Sequence, residues 1–273
     1  MGTVNLRQEA STNGATVELN VDDQTHIATL TLNRPEAMNA ISRQLAADLL
    51  GACEALTNHD DVWVAIVTGA GDRAFCAGAD LKERRLLSAP ERTAHTAAIE
   101  AAAEALAVLP MPVIAAIRGY ALAGGAELAA ACDLRIAAAD AVFGFPEVNI
   151  GIFPGAGGVL RLPGLIGGGA ARDLLFTGRR VAADEALRLG LVDRVVAPDA
   201  VTAAVLEMAL SIASSAPLAV RAVKRALRES HGRSLAEARQ IVNALRGALD
   251  QTEDYDEGLR AFAERRAPRF SGR

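Results

Sequence analysis

The sequence predicts an α/β fold with parallel strand pairing and an all-helical region at its C-terminal end. Three observations lead there. Short apolar runs rich in β-branched residues alternate with segments of helical periodicity, in a rhythm of strand, loop and helix at unequal spacing. Glycine-rich loops follow several of those runs. From about Ala182 onward the pattern is mostly helical.

Residues 1–14 are polar and read as loose. Residues 16–21 and 26–33 alternate apolar and polar, and Asp22-Asp23-Gln24 lies between them, which reads as a hairpin. Asn33-Arg34-Pro35 ends the second strand. Ser42 is placed to cap a helix over 43–56, with Leu45, Leu49 and Leu56 on one face. Trp63 to Thr68 reads as a buried strand followed by a glycine-rich loop. A helix follows from about Glu91 to Val108, stopped by Pro110 and Pro112. Val113 to Ile117 is a short strand. Glycine then opens a short helix over 125–131, Leu134 to Ala137 is a strand, and a loop holds Glu147. The later helices are expected at 182–189, 199–214, 216–230, 234–249 and 254–265. No low-complexity linker or internal repeat stands out.

Composition narrows the class of protein. A chain of 273 residues makes one large domain or two small ones. Hydrophobic residues make up 51% but aromatics only 4%, so the core must be built from Ala, Val, Leu and Ile. A net charge of −5 gives no basic bias toward nucleic acid. Cys53, Cys76 and Cys132 form no C-x-x-C pair, which argues against structural zinc and a disulfide framework and for a reducing compartment. The first residues lack the basic-then-apolar pattern of a secretory signal, and Leu6 breaks the myristoylation pattern that Gly2 would begin. Apolar stretches such as Ala105 to Ile117 are too short for a bilayer and contain prolines. The expectation is a cytoplasmic protein with no membrane partner.

Glu127 and Glu147 are the chemically informative residues. Each sits among small or apolar neighbours, where a carboxylate either stays solvated at an opening or enters a pocket at a cost. Two such groups make a candidate acid/base pair. Glu127 falls in the first turn of the short helix, where the dipole favours negative charge whether or not it has a chemical role. Glu147, after Pro146, could equally be a loop carboxylate paired with an arginine. Gly69-Ala70-Gly71-Asp72-Arg73-Ala74 imitates a dinucleotide fingerprint, but the following Phe75 to Asp80 reads as more loop rather than a helix. Ala77 to Lys82 lets a ligand approach the backbone, and Lys82 could meet a phosphate or stand solvated. The glycines of Arg118 to Gly125 precede a helix, whose start offers free N–H groups. Two such loops could give two N–H donors to one oxygen, an oxyanion hole. Gly151 to Gly158 reads as a tight connection, because no lysine, serine or threonine accompanies it. His26, His59, His95 and His231 lie outside all these loops. Arg265, Arg266, Arg269 and Arg273 form a basic tail whose ordinary meaning is a solvated terminus.

Taken together, the loops resemble the crotonase, or enoyl-CoA hydratase/isomerase, superfamily. The likeness runs through four ordered motifs: Asn33 to Ala40, Ala74 to Lys82, Gly119 to Asp133, and Phe143 to Gly158. The resemblance implies a spiral of ββα turns over residues 1–200, a C-terminal helical region over 201–273, and trimers often paired as hexamers. It implies an acyl-CoA thioester substrate and no metal or redox cofactor, coenzyme A being part of the substrate. It places the backbone N–H groups of Ala79 and Gly124 in the oxyanion hole and Glu127 and Glu147 at the reacting carbons. Ala37, Ala77, Asp80, Leu81, Lys82, Phe262 and Arg265 fall where the family contacts CoA, the last two sometimes from a neighbouring subunit. Two glutamates point to hydration, since simple isomerases of the family commonly rely on one. Three positions depart from the common pattern. Ala123 stands for the first glycine of a Gly-Gly-Gly run, Arg265 stands for lysine, and Phe145, where glutamine is frequent, is expected to narrow or dry the pocket near Glu147. Phe75 to Arg84 also looks like the methylglutaconyl-CoA hydratase branch, some of whose members bind RNA.

Overall fold

The computed structural model describes residues 15–273, so the polar start at 1–14 lies outside the described residues. Strands β1 (Val17–Asp22) and β2 (Ile27–Leu32) pair antiparallel around the expected turn. From β2 the pairing becomes parallel, through β3 (Val64–Gly69), β5 (Val113–Ile117), β7 (Leu134–Ala138) and β10 (Arg194–Val196). These make a six-stranded sheet in the order β1-β2-β3-β5-β7-β10. Strand β5 is buried along its whole length, as its unbroken apolar run requires of a parallel strand covered on both faces.

A second sheet was not visible in the sequence. It holds β4 (Ala74–Cys76), β6 (Tyr120–Leu122), β8 (Val142–Gly144) and β9 (Arg180–Ala182), with β4, β6 and β8 parallel and β9 antiparallel at the edge. Residues 74–76 were expected to continue a loop and are instead a strand. The chain lays one strand in the large sheet, the next in the small one, then a helix, and repeats. That is the expected spiral of ββα turns.

The helices complete each turn. Helix α1 (Arg43–Thr57) is capped by Ser42, whose Oγ accepts from Leu45 N at 3.1 Å, and it buries Leu45, Leu49 and Leu56 as its spacing predicts. After the short α2 (Leu81–Arg84), α3 (Ala89–Val108) begins with a Ser88/Glu91 capping box and packs on α1. Helix α4 (Gly124–Ala131) is buried on every side. Helix α5 (Gly158–Thr177) carried no clear periodicity, because it contains Pro163 and Gly164 and is broken at Gly167, whose φ of 78° and ψ of 153° are not helical. Then come α6 (Ala183–Leu189), α7 (Val201–Ala213), α8 (Pro217–Ser230), α9 (Leu235–Leu249) and α10 (Glu253–Glu264). All are within two residues of expectation. Helix α7 lies against β2, β3, β5 and β7. Lys224 ties α8 to the core, donating to Met111 O at 2.9 Å and to Asp133 Oδ2 at 2.6 Å. Asp254 of α10 accepts from the backbone of Ser271 and Gly272, which folds the chain end back onto the helix.

The core is aliphatic, as composition demands: Phe75, Phe143 and Phe145 are the aromatic members among the largest fully buried side chains. The three cysteines are free and buried, and burial pushes each thiol up to about 12, which leaves them inert. Among the described residues no single helix is long and apolar enough to cross a membrane.

Candidate active site

The small sheet explains how motifs far apart in sequence meet. Because β4, β6 and β8 are parallel neighbours, their C-terminal ends share one edge. Strand β4 runs into Ala77–Asp80, β6 into Ala123–Glu127, and β8 into Phe145–Glu147. One cavity lies there, and Ala77, Ala79, Gly124, Glu127 and Glu147 all line it. The glycine-rich loop at 69–74 enters β4 rather than a helix, so the dinucleotide reading fails in its geometry.

The two expected N–H donors are brought close together. Gly78 has φ of 91°, and a Cβ there would stand 2.7 Å from Ala123 Cβ and 3.2 Å from Gly124 N, so only glycine lets the two loops touch. Ile41 brackets Ala79: its N–H donates to Gly78 O at 2.8 Å, and its carbonyl accepts from Asp80 N at 2.9 Å. His95 Nε2 lies 3.0 Å from the same carbonyl and donates to it, anchoring the arrangement to α3. Among the described residues, neither the Ala79 N–H nor the Gly124 N–H donates to a protein acceptor. Gly124 opens α4, where N–H groups have no partner within the helix. Ala123, at φ 51° and ψ −129°, sets the peptide that carries the Gly124 N–H.

The glutamates occupy unlike environments. Glu127 is 2% exposed and Glu147 6%. Glu127 Oε1 accepts from Ala156 N at 2.9 Å and Gly158 N at 2.8 Å. Burial raises its carboxyl above the ordinary value, and those two N–H groups oppose the rise by favouring the anion. Burial pushes Glu147 up to about 7, opposed by its own backbone N–H, and the neighbouring charge of Glu127 adds to the rise. No other residue donates a hydrogen bond to either Glu147 oxygen. The pair therefore sits in unlike surroundings: two N–H groups favour the anion of Glu127 against the cost of its burial, while burial pushes Glu147 up to about 7.

The segment Gly151 to Gly158 is more than the tight connection it was expected to be, because its N–H groups hold Glu127. A Cβ on Gly158 would lie 2.9 Å from Glu127 Oε1. Arg161 braces the segment from below, donating to Ala156 O at 3.1 Å and pairing with Glu104.

The other expected contact residues are more dispersed. Leu81 lines the cavity, but Ala37, Asp80 and Lys82 do not. The Asp80 carboxylate caps α2, accepting from Lys82 N and Glu83 N, and pairs with Arg34 at 3.0 Å. Asn39, in the first motif, knots that motif to the next loop by donating to Ala70 O and Ala74 O. Phe262 is 87% exposed on α10, Arg265 caps that helix at φ 53°, and neither lines the cavity. Phe145 does not narrow the cavity: it is fully buried in the core, and Pro146, Ile150, Ile152 and Phe153 form the apolar wall beside Glu147. The sequence reading also missed Arg84, Thr96 and Ile99 in the lining. Helical spacing held the signal, since Arg84 lies three residues after Leu81 and Ile99 three after Thr96.

The chain matches the profile of the enoyl-CoA hydratase/isomerase family over residues 22–273. It is 44% identical over 247 residues to a putative enoyl-CoA hydratase/isomerase of Bacillus subtilis, covering 90% of this chain and 95% of that one. It is 41% identical over 250 residues to a crotonyl-CoA hydratase of Syntrophomonas wolfei, covering 92% and 96%. The crystal structure of an enoyl-CoA hydratase from Bacillus anthracis superposes with a TM-score of 0.92 at 40% identity, covering 94% of this chain and all of that one.

Proposed function

Since the chain belongs to the enoyl-CoA hydratase/isomerase family, we propose that it adds water across the 2,3 double bond of an enoyl-CoA thioester to give a 3-hydroxyacyl-CoA. The observation that carries this reading is the pair of buried glutamates in unlike environments facing one cavity. The Ala79 and Gly124 N–H groups donate to the thioester oxygen, which accepts both, stabilising negative charge as an enolate develops. Loss of one such donor typically costs about two to three powers of ten in rate. Glu127, held in place by the Ala156 and Gly158 N–H groups, holds the water and takes up its proton as oxygen adds to Cβ. Glu147, its carboxyl pushed up to about 7 by burial, delivers the proton to Cα. No metal or redox group enters this scheme.

Ala37, Ala77, Asp80, Leu81 and Lys82 hold the CoA portion in this reading, with Phe262 and Arg265 contributing from a neighbouring subunit of a homotrimer or homohexamer. The exposed apolar residues Leu235 and Val242 on α9 and Leu259 and Phe262 on α10 support such self-association. Cytoplasmic residence fits the inert thiols.

The test is loss of the ultraviolet absorbance of the conjugated thioester across enoyl-CoA chain lengths, repeated with Glu127→Ala. Hydration by the parent and its collapse in the variant are expected. Double-bond migration without hydration would make the chain an isomerase. Binding with no turnover would leave a non-catalytic CoA-ester or RNA-binding member of the fold.

A further inference from the structure

Ile41 is where the two halves of the expected oxyanion hole meet. It forms an isolated parallel bridge with Ala79, its N–H donating to Gly78 O and its carbonyl accepting from Asp80 N. Its side chain backs the other donor: a Cβ built on Gly124 would meet Ile41 Cδ1 at 3.3 Å and Ile99 Cγ2 at 3.6 Å. His95 fixes this hub from outside. It is 1% exposed on α3, and its Nε2 gives Ile41 O a second hydrogen bond at 3.0 Å. Ile99 stands one helical turn further along the same face of α3. His95 itself does not line the cavity. A carbonyl only accepts, so the imidazole proton sits on Nε2. The other nitrogen, Nδ1, is buried with no hydrogen-bond partner. Burial holds the ring below the usual imidazole range, helped by the charges of Arg84 and Arg43 and opposed by the Ile41 bond and Glu83.

We propose that His95 is a positioning residue for the oxyanion hole, holding Ile41 so that the Ala79 and Gly124 N–H groups converge on one oxygen. The inference rests on the hydratase reading and adds to it a residue that stays outside the cavity. The energetics favour this over a role in stability alone. One N–H to carbonyl bond is a modest net gain, and a buried nitrogen without a partner is a cost of similar size. A leucine would fill the space with neither. What histidine supplies and leucine lacks is direction, a donor that ties the Ile41 carbonyl to a long helix. The Ala79 loop needs direction imposed on it. Gly78, at φ 91°, leaves the peptide that carries the Ala79 N–H free to turn unless its neighbours hold it. Gly78 O and Asp80 N bond to Ile41, and Ile41 O bonds to His95, which completes a path from α3 to the donor.

The experiment compares the parent, His95→Leu and His95→Gln in hydration of crotonyl-CoA, each assayed below its melting transition. In His95→Leu kcat should fall about tenfold to a hundredfold, the scale of a small misplacement of reacting groups. KM should stay within about threefold, because the two donors count most once charge develops on the oxygen. His95→Gln should recover most of the lost rate, since its amide nitrogen reaches about as far as Nε2 and donates to the same carbonyl. Should His95→Leu fail to fold, His95→Asn, whose amide ends short of Ile41 O, takes its place against His95→Gln with the same expected loss. An unchanged kcat in the variant that lacks the donor, a rise in KM that accounts for the whole loss, or an equal loss in His95→Gln would overturn the proposal. Any of those beside an active parent removes the proposal alone, whereas no hydration by the parent removes the hydratase reading with it.

Discussion

Replacing Glu147 with glutamine should make the protein more stable at alkaline pH while disabling it. The carboxyl is 6% exposed, accepts from no other residue, and is pushed up to about 7 from 4.5. The folded state therefore binds this proton more tightly than the unfolded chain does. Below the unfolded value both states are protonated and nothing is lost. As pH rises from 4.5 to 7 the unfolded chain releases the proton first, so stability falls, and above 7 the full loss persists. At about 1.4 kcal/mol per pH unit, that gap corresponds to roughly 3 kcal/mol. Glutamine cannot ionise and escapes the loss. Urea denaturation of parent and Glu147→Gln at pH 5 and pH 8 would measure it as a double difference, in which the packing of the new amide cancels. The variant should gain roughly 2–3 kcal/mol on the parent between the two pH values. A stability gap equal at both would refute the argument, because the carboxyl would then ionise alike in the folded and unfolded chain.

Other outcomes follow from the same geometry. Ala123→Gly should raise the melting temperature, since φ 51° with ψ −129° strains any residue with a Cβ. Relief of strain less the entropy of the added glycine leaves about 1 kcal/mol, or ~2–4 °C for a chain of this size, and a lower melting temperature would contradict the reading. Gly158→Ala should cut hydration by about tenfold or more, as expected when a reacting group is displaced, because its Cβ would press on Glu127 Oε1. Unchanged turnover in that variant would mean that the Ala156 and Gly158 N–H groups do not position Glu127.

Much of this was legible in the sequence because long elements carry their own signal. Helix α1 announced its cap at Ser42 and its buried face at Leu45, Leu49 and Leu56, and β5 matched its apolar run at both ends. Strands β4, β6 and β8 were invisible because three residues cannot show a period of two. Yet that sheet is what gathers the loops into one site, so the motifs could be named before their meeting could be explained. Helix α5 was hidden by its proline and glycines. Phe145 was misplaced for a different reason: a strand end turns successive side chains to opposite faces, and sequence alone did not show which face looked into the core. Arg84 stood inside a quoted motif, but its place in the cavity depends on α2 presenting Leu81 and Arg84 on one side.

The division of labour between the glutamates is tested most directly by turnover and binding measured together in Glu147→Gln. With crotonyl-CoA, hydration should fall by about two to four powers of ten, the usual worth of a positioned proton donor, while the dissociation constant for a saturated acyl-CoA stays within about threefold, less than one hydrogen bond is worth. Full hydration activity in that variant would contradict the assignment of Glu147 as the group that protonates Cα.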